Sequence, residues 1–195
     1  MVALRERAPK LMTLAEFLDW TPPNRTGAAY QLIDGVPVPM APASENHAAL
    51  VAEIGRLMGN HLLQTASPCR LLGQPAIVPG TRADWNFRLP DLGVTCSPPS
   101  GGLMVQDPLL LIEVLSPSND DDTRANIEAY TSISSMREIL AVHSRRVEAE
   151  ILRRRPDGTW SDAAEIITGG GTVLLESIGF TSPLTAFYRT TSLAS

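Results

Sequence analysis

Leu109-Leu110-Leu111-Ile112-Glu113-Val114-Leu115 is an aliphatic run with a single charge in it. Such a run reads as a strand buried on both faces, of the kind found inside a parallel or mixed sheet. Glu113 breaks the pattern. A carboxylate there must be paired, protonated or bound to a cation, because an isolated buried charge is very costly. A second acid lies upstream in similar surroundings, where Pro90-Asp91 opens the strand-like stretch Leu92-Gly93-Val94-Thr95-Cys96. The separation of 22 positions (113 − 91) leaves room for two strands and a loop. Two acids on adjacent core strands point to a metal site. A hard cation such as Mg²⁺ or Mn²⁺ takes one or two carboxylate oxygens from protein, with waters and substrate phosphate completing the set. The Val114 carbonyl offers a third oxygen. An ion held there would activate water and stabilise charge on a phosphoryl group.

The rest of the chain fits one α/β domain. Its 195 residues are enough for a sizeable core, and 44% hydrophobic with 19% charged residues is a globular balance. Residues 1–12 read as a leader and 13–190 as the domain. The N-terminus has an early acid and no uninterrupted apolar stretch, unlike a signal peptide. No run is long enough to span a bilayer. Cys69 and Cys96 lack metal-ligand spacing, so a reduced, cytoplasmic protein is the simplest expectation. A net charge of −5 argues against a protein that coats DNA, while leaving room for a local basic rim. Lys10 is the only lysine; the other fifteen of the sixteen basic residues are arginines.

Local signals order the elements. Thr13-Leu14-Ala15-Glu16 matches a capping box opening a short helix that runs to about Trp20, before Pro22-Pro23-Asn24. Tyr30–Ile33, Asp34-Gly35 and Val36–Met40 form a hairpin signal, with Pro37 and Pro39 placing the second strand at an edge. Ser44 caps a helix over roughly 45–65, whose buried stripe is Leu50, Ile54, Leu57, Met58 and Leu62. Short strand-like pieces fall around 69–78 and 85–89. A second helix is expected over 122–135, with Ile127, Tyr130, Thr131 and Ser134 on one side. Strands follow at 138–143 and 147–153, the latter alternating as if half-exposed, then a return strand from Trp160, Val173–Leu175, and a closing helix near 183–188.

These residues, in this order, resemble a known family. Met12-Thr13-Leu14 with Glu16-Phe17, Tyr30–Gly35, Met40-Ala41-Pro42 with Ser44 and His47, Pro90-Asp91, Leu110–Ser118 and Tyr130 together look like the Uma-two family of the PD-(D/E)xK nuclease superfamily. The resemblance covers most of the chain. It implies a restriction-endonuclease-like α/β fold: a central mixed sheet flanked by helices, with an N-terminal helix and hairpin. It also implies Asp91 and Glu113 as metal ligands, metal-dependent phosphodiester hydrolysis in DNA, and a homodimer. Three positions depart from the family pattern. Gln31 stands where the family usually has Glu before Leu-Ile-Asp-Gly, and Val36 where Glu often follows the glycine. Asn126, four residues before Tyr130, occupies the place of the superfamily's lysine. Arg124 is the nearest replacement cation, although a guanidinium is not equivalent to an ammonium.

Each candidate has a plainer reading. Asp34 is most simply a turn residue, with a supporting role at the site as the alternative, and His47 a helix-start or core histidine, with a catalytic-base or supporting role as the alternative. Gln31 and Asn126 are candidates for contacting a metal-bound water or substrate. Arg145, Arg146, Arg153, Arg154 and Arg155 read as a solvated strand face, with phosphate contact as the alternative. Ser116 and Ser118 lack a telling His/Asp arrangement in sequence, which disfavours serine-hydrolase chemistry. The rival to an active enzyme is a pseudo-nuclease that binds nucleic acid or protein without cutting.

Overall fold

A computed structural model describes residues 11–22, 28–116 and 120–194. Residues 1–10 of the leader, with Lys10, and Pro23-Asn24 and Pro117-Ser118 lie outside the described residues. Among the described residues three α-helices, α1 (Leu14–Asp19), α2 (Glu45–Gln64) and α3 (Asp120–Tyr130), accompany a central sheet. That sheet contains β3 (Arg70–Gly73), β4 (Leu92–Thr95), β5 (Pro108–Leu115), β6 (Glu138–His143), β7 (Glu148–Arg153) and β8 (Glu165–Thr168), side by side in that order. Only β5 and β6 run parallel, so the sheet is mixed. The parallel pair needs a crossover, and α3 supplies it. Two small hairpins, β1 (Tyr30–Ile33) with β2 (Val36–Pro39) and β9 (Thr172–Leu175) with β10 (Phe180–Pro183), lie apart from it.

The aliphatic run of β5 occupies the interior of this sheet. Leu110, Ile112 and Val114 pack with Leu50, Ile54 and Met58 of α2, whereas Leu111 and Leu115 pack with Ile127 and Tyr130 of α3. Period-two alternation therefore puts Glu113 on the α3 face. Register places Leu92 opposite Ile112, which brings Asp91 opposite Glu113. The two acids share one side of the sheet.

Local signals at the N-terminal end match the structure. Thr13 and Glu16 form a reciprocal capping box, with Thr13 N–H donating to Glu16 Oε2 at 2.7 Å. Asp34 and Gly35 both have positive φ, +48° and +85°, as a two-residue hairpin turn of this twist requires. Ser44 caps α2, accepting the His47 N–H at 3.3 Å.

Several expectations are corrected. The second long helix stops at Tyr130, so Thr131 and Ser134 belong to the turns that follow it. No strand covers 85–89; a 3-10 turn at Ala83–Trp85 leads into isolated bridges at Phe87 and Arg88. β7 is not half-exposed, since Ala149, Glu150 and Ile151 are all buried between β6 and β8. Trp160 makes only a bridge to Arg154, and the return strand begins at Glu165. The closing helix is a 3-10 segment, Leu184–Tyr188. The cysteines are not free thiols: Cys69 and Cys96 form a disulfide joining the start of β3 to the end of β4. Their spacing concealed this because the antiparallel register, Arg70 against Thr95, is what makes them neighbours. No helix among the described residues is long and apolar enough to cross a membrane.

Candidate active site

An open pocket of about 1060 Å³ lies where β4, β5, α2 and α3 meet, roofed by the β1–β2 hairpin and residues 40–44. Asp91, Glu113, His47, Gln31 and Asn126 all line it. The acids lie deep in it, Asp91 being 7% and Glu113 5% exposed.

Asp91 is held at both oxygens. Its Oδ2 accepts the Val114 N–H at 2.7 Å, and its Oδ1 lies 2.9 Å from His47 Nε2. A carboxylate has about four acceptor positions, so two remain. Continuing the register sets Pro90 opposite Val114, and proline has no N–H to offer. The Val114 carbonyl shares the direction of its N–H, toward Asp91, because successive strand residues alternate between the two neighbouring strands. Leu115 shows the alternation: its carbonyl accepts the Ser144 N–H on the β6 side at 3.0 Å.

Glu113 is set differently. Tyr130, entirely buried on α3, donates its hydroxyl to Glu113 Oε1 at 2.7 Å. Burial pushes the Glu113 carboxyl up to about 8, and the Asp91 charge adds to the rise. The Tyr130 bond, the Asp91 backbone and the Asn126 amide favour its charged form without offsetting the other two effects. Tyr130 itself is pushed well above its ordinary value, first by burial and then by the Glu113 charge.

The two amides form a chain. Gln31 Oε1 accepts the Leu89 N–H at 3.1 Å and Asn126 Nδ2 at 3.3 Å. A backbone N–H can only donate, which fixes the Gln31 oxygen and so orients Asn126 as donor. The Asn126 Oδ1 then has no partner.

Two expected contributors are elsewhere. Arg124 is no replacement for the missing lysine, because its guanidinium grips both Glu150 oxygens at 2.6 Å and lies outside the pocket lining. Asp34 also stays outside it, tied to Arg82 at 3.0 Å and to Asn86 at 3.3 Å as part of the turn. His47, read first as a helix-start residue, faces Asp91 because the Ser44 cap directs the first turn of α2 into the pocket.

Sequence reasoning passed over the Ser116–His47–Asp91 series. His47 Nδ1 lies 3.4 Å from Ser116 Oγ, completing a chain that no sequence spacing announced. It does not make a serine nucleophile. Acyl transfer needs preorganised donors for the oxyanion that develops on the substrate, whereas the acids Asp91 and Glu113 line the pocket that Ser116 shares. The Tyr130 contact was half-visible, since the tyrosine stood on the apolar stripe and in the family pattern. A separate cluster, His143, Glu148 and Glu150, brings potential ligand atoms within 4.8 Å of one another, but Arg124 and Arg146 already neutralise its two acids.

Comparison with known proteins gives the family and the fold. Residues 14–185 match the family described as "Putative restriction endonuclease". The chain belongs to that family. A structural relative of the Uma-two chain is a "putative nuclease belonging to DUF820" from Anabaena variabilis, with a TM-score of 0.71 at 15% identity. The match covers 91% of this chain and 98% of that one, and at such low identity it establishes a common fold. No curated protein matches the sequence.

Proposed function

We propose that this Uma-two protein is a divalent-metal-dependent nuclease that hydrolyses phosphodiester bonds in DNA. The observation that supports it most is the convergence of Asp91 and Glu113 in one recessed pocket, where burial and mutual repulsion drive Glu113 to hold a proton. A cation between the two offsets both effects. The donor set suits Mg²⁺ or Mn²⁺, being two carboxylates and the Val114 carbonyl, all oxygen. When bound, such an ion supplies Lewis-acid activation of the phosphoryl group and of water.

The chain's own residues do the positioning. His47 and the Val114 amide fix the Asp91 carboxylate in one orientation. Tyr130 fixes Glu113, and the Leu89–Gln31–Asn126 series holds the amide that stands in the lysine position. Asn126 brings no positive charge, so turnover should be slow by the standard of a lysine-bearing site. That absence also supports a second reading, a pseudo-nuclease that binds nucleic acid without cutting it. Supercoiled plasmid incubated with Mn²⁺ decides between them. Nicking by the wild type that disappears in Asp91→Ala supports the nuclease. Identical profiles for the two proteins across metals would overturn it.

A further inference from the structure

Dense basic sequence at 145–155 becomes five different arginines in the structure. Arg146 pairs with Glu148 at 2.8 Å, Arg153 with Glu138 at 3.0 Å, and Arg155 with Asp162 at 2.7 Å. Arg154 donates to the Ile133 and Ser134 carbonyls. Arg145 is exposed and lines the pocket, and among the described residues it alone of the five makes no hydrogen bond or ion pair. Among the described residues it is the only arginine or lysine in that lining.

The segment that carries Arg145, residues 144–147 between β6 and β7, is strongly braced. The Tyr188 hydroxyl lies 2.7 Å from the His143 carbonyl and 2.9 Å from the Arg146 carbonyl, and it accepts the Glu148 N–H at 3.2 Å. On the other side of Arg145, the Ser144 carbonyl accepts Asn46 Nδ2 at 3.3 Å, tying the turn to α2. The backbone is thus fixed while the side chain is left unengaged. An unpaired guanidinium on a rigid rim, above a floor of two carboxylates, suits a dianionic or anionic oxygen group brought to that floor.

We propose that Arg145 is the phosphate-contact residue of the pocket, holding a non-bridging oxygen of a nucleic-acid phosphodiester beside Asp91 and Glu113. This rests on the nuclease reading and adds to it the residue that anchors substrate. Binding of fluorescein-labelled DNA, as a 16-nucleotide single strand and as its duplex, tests it by anisotropy over a salt series. The Glu113→Gln protein serves as background so that nothing is cleaved. Adding Arg145→Ala should weaken binding about tenfold and reduce the slope of log affinity against log salt by about 0.7 for the single strand or 0.9 for the duplex. Arg145→Lys should keep the slope, and Arg146→Ala, whose charge Glu148 already engages, should leave both quantities unchanged. Unchanged affinity and slope in Arg145→Ala, with binding intact in the background protein, overturns the assignment and leaves the nuclease reading standing. If the background protein binds neither DNA form, the assignment and the nucleic-acid substrate fall together.

Discussion

Glu113 carries two requirements that pull against each other. Its strand neighbours and the Asp91 charge opposite both disfavour an ionised carboxylate, whereas holding a cation requires one. Without a cation, protonation resolves the conflict, and the folded-state value near 8 lies above the ordinary 4.5. The sign of the stability effect follows from proton counts. Between those two values the folded chain binds more protons here than the unfolded chain, so stability falls as pH rises through that window. Metal-free protein should therefore lose about 2–3 kcal/mol between pH 6 and pH 9 from this residue. Glu113→Gln, neutral at both values and nearly isosteric, should flatten the decline. Urea denaturation at the two pH values measures it. An equal decline in wild type and variant would show that Glu113 is not the titrating group.

At the scale of elements, what could be read in the sequence was whatever is decided locally. The Thr13–Glu16 capping box, the Asp34-Gly35 turn and the Ser44 cap each depend on residues within four positions, and each is present in the structure. The β5 strand was legible because burial on both faces leaves an uninterrupted aliphatic run. What failed was set by tertiary contacts. β7 alternates in sequence like a half-exposed strand, but Glu150 is buried against His143 and Arg124 of α3, and Glu148 is partly covered by His143 and Arg146. Asp91 and Glu113 were found as a pair, since each interrupts or opens an apolar strand. Neither His47 against Asp91 nor Arg145 at the rim could be seen, because each depends on how α2 and the β6–β7 turn approach the sheet. The disulfide belongs to the same class. It closes a loop with a sequence separation of 27, which corresponds to about 3.5 kcal/mol of unfolded-chain entropy. Replacing both Cys69 and Cys96 by serine, or adding reductant, should lower the melting temperature by about 10 °C in scanning calorimetry. Two titratable free thiols in the folded wild type would remove the basis for this expectation.

For the whole molecule, the acidic balance of −5 and the two buried carboxylates give the pocket a negative floor beneath a single basic rim residue. Metal binding should then act on global stability, and through Glu113 its effect should depend on pH. A ligand at a hundred times its dissociation constant stabilises the folded state by about 2.7 kcal/mol. For a chain of this length that amounts to a rise of about 5–10 °C in melting temperature. At pH 8.5 Glu113 is largely ionised, and Mg²⁺ meets a ready pair of carboxylates. At pH 6, two units below the folded value of about 8, the proton must leave first, which weakens the apparent affinity about a hundredfold. The same Mg²⁺ concentration then sits near its apparent dissociation constant and adds only about 0.4 kcal/mol, a rise of about 1 °C. Thermal melts at both pH values, with and without Mg²⁺, read this directly. Glu113→Gln should show no rise at either pH. If Mg²⁺ raises the melting temperature equally at pH 6 and pH 8.5, or stabilises Glu113→Gln as much as the wild type, then the ion is bound somewhere other than between Asp91 and Glu113.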